Sequence, residues 1–209
     1  MGIQIANNNM IYTLHFADDQ IVLAQDKEDM EYMIRKLLEE YEKWGLNINT
    51  TKSKYLVIGD KGEDLVLEGG KIIKCQNEVE YLGVKINKDG NYDEEIKNRN
   101  QKGKYAISTL NGILWDRNIS TRTKHNIYNS IVKSIITYGA DIWPLKRSTQ
   151  NKLLVTEMDF WRRAARVSRR DKIRNNKIRE IMKVKHTILD DVTLKQLRWY
   201  GHMKRMQED

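Results

Sequence analysis

The spacing of apolar residues changes character near residue 90, and a chain with two such textures must build two kinds of layer. Before that point short apolar runs alternate with turns. Met10 to Leu14, Gln20 to Ala24, Leu46 to Asn49, Tyr55 to Ile58, Leu65 to Leu67, Ile72 to Lys74 and Val79 to Ile86 all read as strands. One helix interrupts them: Met30, Met33, Ile34, Leu37, Leu38, Tyr41 and Trp44 recur at three- and four-residue spacing. Asp26 is placed to cap its start and Gly45 to stop it. "GDKGED" and "EGGK" read as hairpin turns, so the expected fold class is α+β, a mainly antiparallel sheet with a packed helix.

After "NKDGNYDEE", residues 87 to 95, the pattern becomes helical. Ile96, Gly103, Ile107, Leu110 and Leu114 define one amphipathic helix. Ile127, Ile131, Val132, Ile135 and Ile136 define another, ended near Gly139 and Pro144. A third spans Gln150 to Val167 and a last Val192 to Met206. Two units are expected, 1–90 and 91–209. Pro144 is the only proline and no low-complexity linker intervenes, which predicts that the two pack together.

Charge divides the chain in a similar place. Residues 1 to 95 hold 11 Lys/Arg against 19 Asp/Glu, and residues 96 to 209 hold 26 against 10, so the overall +8 hides a polycationic second half. Such a field draws phosphate backbones or anionic membrane surfaces. No strongly apolar helix face accompanies the basic residues in this reading, which favours nucleic acid. No run approaches a membrane span and no secretory leader is present, so the expected address is intracellular, nucleus or cytoplasm. A lone Cys75 leaves no internal disulfide and no Cys-rich zinc site.

Within "LHFADDQIVLAQ", Leu14 to Gln25, two acids stand together where a hairpin would reverse. A polar turn is the ordinary explanation for such a pair. Against it stands the apolar setting on both sides, in which neighbouring carboxylates repel unless a divalent cation neutralises them. Phosphoryl transfer uses such pairs: carboxylates on rigid strands hold magnesium against the attacking and leaving oxygens.

"FADD" at Phe16 to Asp19 resembles the polymerase signature of reverse transcriptases in the form used by non-LTR (LINE-type) retrotransposons. Further stretches resemble that family in its own order: "GLNINTTKSK" from Gly45, "VEYLGVKI" from Val79, "YGADIW" from Tyr138 and "LRWYGHMKRM" from Leu197. Ser53 and Val79 are mild departures from its pattern. The resemblance implies a partial polymerase palm over residues 1–90, followed by an all-helical, basic thumb and C-terminal extension over 91–209. It implies Asp18 as the principal Mg2+ ligand with Asp19 as its partner. It implies Lys52 as the lysine that protonates or neutralises the leaving pyrophosphate, where a solvated surface lysine is the plainer explanation. Tyr81, Leu82 and Gly83 would place the primer end, the plainer alternative being an ordinary hairpin. The partners implied are an RNA template, a DNA primer and their hybrid.

One departure is large. The family completes its metal site with an aspartate on a strand well upstream, yet none of the 17 residues before Asp18 is acidic, and no fingers precede them. The chain is therefore expected not to polymerise alone, with weak magnesium binding at best.

Arg162, Arg163, Arg166, Arg169, Arg170 and Arg174 begin a segment, 162 to 185, with 11 basic residues and two acids. Spacing of the kind Arg162, Arg166, Arg169 and Arg170 would gather guanidiniums on one helical side, suited to tracking phosphates. Trp161, Trp199 and Tyr200 are candidates for stacking on bases, or else core. Three functional readings follow: a reverse transcriptase fragment, a non-catalytic nucleic-acid-binding protein derived from a retroelement, or a chain with no selected role.

Overall fold

A computed structural model describes residues 1–4, 9–67 and 70–206, and the chain divides into two compact units, Met1–Gly90 and Asn91–Asp209. The first joins four separate two-stranded antiparallel ladders to one helix, α1 (Lys27–Lys43). β1 (Ile3–Gln4) pairs with β2 (Met10–Ile11), and β3 (Thr13–Phe16) with β4 (Asp19–Val22). β5 (Leu65–Val66) pairs with β6 (Ile72–Ile73), and β7 (Glu78–Tyr81) with β8 (Val84–Asn87). Small ladders thus replace the larger sheet that the sequence suggested, within an α+β class. Part of the "EGGK" turn lies outside the described residues.

Local chemistry explains α1. The Asp26 carboxylate accepts from the Asp29 amide at 2.8 Å, capping the start. At the other end Gly45, at φ 68°, donates to Glu42 O while Leu46 donates to Tyr41 O, closing the helix with a left-handed residue. Leu46 to Asn49, expected as a strand, instead follows that stop. Asn49 Oδ1 accepts from the Thr51 and Lys52 amides, so side-chain bonds hold a turn where a ladder would be needed. Tyr55 to Ile58 shrinks to one parallel bridge, Tyr55 with Cys75. Met30, Ile34 and Leu38 of α1 pack on a small core of Tyr55, Leu65, Leu67 and Ile73.

The second unit is helical. It runs through α2 (Asp93–Thr109), α3 (Asn111–Trp115), α4 (Thr121–Ile127), a π-helical stretch (Tyr128–Lys133) and α5 (Ser134–Ile136). A 3-10 turn (Ala140–Ile142), α6 (Arg147–Ala164), a second 3-10 turn (Arg169–Asp171), α7 (Asn175–Met182) and α8 (Ile188–Arg205) complete it. The single helix expected from Ile96 to Leu114 breaks at Leu110. Along the π stretch Ser130 Oγ donates to Asn126 O and Ser134 Oγ to Ser130 O. α7 was not expected at all.

The core of this unit is continuous. Ile107, Val132, Phe160, Trp161, Ile178 and Val192 are all buried, and Phe160 and Trp161 meet edge to face at 5.0 Å. Trp161 is therefore core rather than a stacking platform. Lys124, itself buried, donates to the carbonyls of Leu114, Asp116 and Ala164 at 2.7 to 3.1 Å, closing the ends of α3 and α6 with one ammonium. Burial, and then the nearby Arg166 charge, push its pKa down.

Gly103 sits where α2 meets α5: a Cβ there would lie 2.3 Å from Ile136 Cγ1. Gly103→Ala should therefore destabilise the protein by about 1–3 kcal/mol through overpacking. In an open helix the same change would stabilise by about 1 kcal/mol. Urea melts of the two proteins measure the sign.

Candidate functional site

Phe16 pairs with Asp19, so Ala17 and Asp18 form a two-residue loop and the acids occupy the hairpin tip. Ala17 takes φ 50°, a left-handed conformation costly for a residue with a Cβ. Both carboxylates are exposed. The apolar walls expected around them are not there: Phe16 is 62% exposed and Leu14 is exposed too. A two-stranded ladder has only one face to lay on α1, which it does beside Gln20, whose Oε1 accepts from the Tyr41 hydroxyl. The solvated pair thus needs no cation for its own stability. It remains two hard oxygen donors on one rigid turn, a set that suits magnesium when water and phosphate supply the other ligands. Among the described residues no group of three or more His, Cys, Asp or Glu could hold a metal.

Lys52 lies exposed in the turn that Asn49 organises. No hydrogen bond or ion pair joins it to Asp18 or Asp19. Tyr81, Leu82 and Gly83 stand on the β7–β8 hairpin, where Tyr81 pairs with Val84 and both loop residues have positive φ, 47° at Leu82 and 76° at Gly83. That is the backbone of a type I′ turn, which glycine accepts without strain.

The six arginines divide. Arg162 donates to Ile173 O at 2.7 Å and Asn175 Oδ1 at 2.8 Å, and Arg163 holds Asp159 and Asn111; both are half-buried. Arg166, Arg169, Arg170 and Arg174 are exposed. The helical face expected to gather them does not form, because α6 ends at Ala164. Arg166, at φ 59°, donates to Arg163 O and Val167 to Arg162 O, which closes the helix. Arg166, Lys172 and Lys183 all hold left-handed positions that glycine would fill more cheaply. Three cations thus sit at a backbone cost.

A groove of about 950 Å³, which no sequence pattern signals, lies between α2 and the π-helical stretch with α5. Lys102, Tyr105, Ile131 and Tyr138 line it, and Tyr105 is 77% exposed. Its residues come from helices far apart in sequence, which no local pattern brings together. Among the described residues no helix is long and apolar enough to cross a membrane.

Comparison with known proteins shows what the chain resembles. Residues 2–86, the part that carries both hairpins, match the reverse transcriptase (RNA-dependent DNA polymerase) family. Two relatives make the likeness more particular. A transposon-derived protein of Caenorhabditis elegans is 25% identical over 97% of this chain and 75% of its own length. The RNA-directed DNA polymerase from the mobile element jockey of Drosophila melanogaster is 23% identical over 71% of this chain, though over only 17% of its own length. No solved structure matches. The resemblance to the reverse transcriptases of LINE-type retroelements is borne out.

Proposed function

We propose that this chain is the palm remainder and thumb of a LINE-type reverse transcriptase, and that by itself it holds an RNA–DNA hybrid without extending it. The observation that carries this reading is the Asp18–Asp19 tip on a two-residue hairpin loop, inside the segment that matches the polymerase family. In this reading Asp18 and Asp19 present carboxylate oxygens to magnesium at the primer end. When bound, the ion would neutralise charge on the attacking and leaving oxygens. Lys52 supplies a positive charge, and a proton, to the departing pyrophosphate. The Tyr81–Gly83 turn seats the primer end, its glycine allowing close backbone approach. Arg166, Arg169, Arg170 and Arg174 contact phosphates, while Arg162 and Arg163 brace the loops that present them.

The cations at the left-handed positions Arg166, Lys172 and Lys183 favour a second reading, a retroelement-derived protein that only binds nucleic acid. Primer extension on an RNA template with magnesium or manganese separates the alternatives. The purified 209-residue chain should bind the primer–template and incorporate no nucleotide, because among the described residues no third metal-binding side chain joins the two carboxylates on this turn. Incorporation abolished by Asp18→Asn would overturn that expectation and leave the chain a polymerase in its own right.

A further inference from the structure

α8 runs beyond the body that it packs against. Ile188 and Val192, in its first turns, are buried, and Lys195 and Gln196 reach back to the carbonyls of Thr137, Ala140 and Trp143. By helical spacing Trp199, Met203 and Met206 continue the side that begins with Ile188 and Val192, yet all three are exposed. Leu197 and Tyr200 beside them are 62% and 61% exposed. An apolar, aromatic stretch of about two and a half turns is thus left uncovered among the described residues.

Its charge restricts what covers it. Between Val192 and Met206 the sequence holds Lys195, Arg198, Lys204 and Arg205 and no acid. Arg198, Lys204 and Arg205 are exposed, and none pairs with a carboxylate among the described residues. Two such helices would repel each other, which speaks against a second copy and for an anionic occupant. The flat rings have cationic or ring neighbours: Lys204 Nζ lies 5.8 Å from the Tyr200 centroid, and Trp199 meets His202 at 5.6 Å. Gly201 adds a backbone clue. A Cβ there would meet only Arg205 Nη1, at 3.5 Å, so no packing requires a glycine that weakens the helix. What glycine provides is bare backbone beside two exposed rings, room for a flat base to approach.

Resting on the nucleic-acid reading above, we infer that the last turns of α8 are a platform for single-stranded nucleic acid. Bases stack on Trp199 and Tyr200, and Arg198, Lys204 and Arg205 track the phosphates. Alternating aromatic and basic side chains on one rigid helix suit a strand whose bases are free to turn outward.

The test titrates the full chain into a short labelled single-stranded RNA and, separately, into an RNA–DNA hybrid of equal length. A Trp199→Ala/Tyr200→Ala protein should bind the single strand at least about tenfold more weakly, with unchanged hybrid affinity and an unchanged melting temperature. Trp199→Phe/Tyr200→Phe should restore most of the single-strand affinity. Gly201→Ala should raise thermal stability while weakening the single-strand complex. Unchanged single-strand affinity in the double-alanine protein overturns the inference. So does a wild-type protein that binds hybrid but not single strand, and that result leaves the broader reading intact. Aromatic-dependent binding of the single strand without hybrid binding supports the platform and removes the broader reading; binding to neither removes both. The inference also falls if the double-alanine change abolishes self-association, or binding to anionic vesicles, rather than RNA binding.

Discussion

Replacing Glu157 with alanine is expected to destabilise the helical unit by about 3–5 kcal/mol, the cost of breaking a buried charged cluster by removing one partner. Glu157 is fully buried on α6. Its Oε1 accepts from the Tyr128 hydroxyl at 3.2 Å and from the Ile188 amide, at the first turn of α8, at 3.0 Å. Arg179 of α7 lies 3.7 Å from Oε2. One carboxylate therefore joins the π-helical stretch, α6, α7 and α8, and its loss strands two buried donors and leaves the half-buried Arg179 without its carboxylate. That is a large share of the roughly 5–15 kcal/mol that a domain has in total.

The same residue sets a pH dependence. Burial raises the Glu157 pKa above its ordinary 4.5, against the lowering effects of Arg179 and its hydrogen-bond donors. Because the folded state holds the proton more tightly than the unfolded chain, this group's contribution to stability is greatest below the unfolded value. It declines as pH rises from 4.5 through the raised folded value. Glu157→Gln keeps the shape and removes the titration. Urea unfolding across that pH range should show a flatter profile for Glu157→Gln than for the parent, and a much lower midpoint at every pH for Glu157→Ala.

The second large effect is on binding. Affinity for an RNA–DNA hybrid should fall steeply with salt, on the order of 10³–10⁵-fold between about 50 and 200 mM if six to ten phosphates are neutralised. Each exposed arginine lost should reduce the slope of log affinity against log salt by about one. Arg166→Gly is the most informative change, since its two effects have opposite signs. Removing a Cβ from a left-handed position should stabilise the fold by about 1 kcal/mol. It also removes the cation that helps depress the Lys124 pKa. Hybrid affinity should nevertheless drop and the salt slope flatten. Arg162→Ala should behave differently, costing stability through the lost bonds to Ile173 and Asn175. Fluorescence anisotropy at several salt concentrations, with thermal melts of the same proteins, separates the two.

Features with a local cause were legible in the sequence. The Asp26 cap, the Gly45 stop and the part of the α1 stripe formed by Met30, Ile34 and Leu38 depend on neighbours within a few residues and are found, whereas Trp44, expected in the same stripe, is exposed. The turn at Asp18 needed only its flanking strands, and the two hairpins supported the family resemblance. Where the structure departs, the reason is a residue in an unusual place. α6 ends at Ala164 rather than continuing to Val167 because Arg166 takes a conformation that its identity does not advertise. α7 was hidden because its buried residues are only Ile178 and Met182, in a segment otherwise dominated by charge. The exposure of Phe16 depends on what does not cover it, which a pattern of strand residues cannot convey. The buried Glu157 had no local sign in the sequence, because its partners lie 29 and 31 residues away.

In the reading proposed above, the Asp18–Asp19 tip holds a divalent cation at a nucleic-acid end. Manganese, standing in for magnesium, broadens amide resonances near it, so spectra of the labelled chain bound to a primer–template locate the ion directly. Broadening should centre on residues 17 to 20 and vanish in Asp18→Asn/Asp19→Asn while the complex itself persists. Broadening centred elsewhere, or unchanged in that variant, would contradict the account.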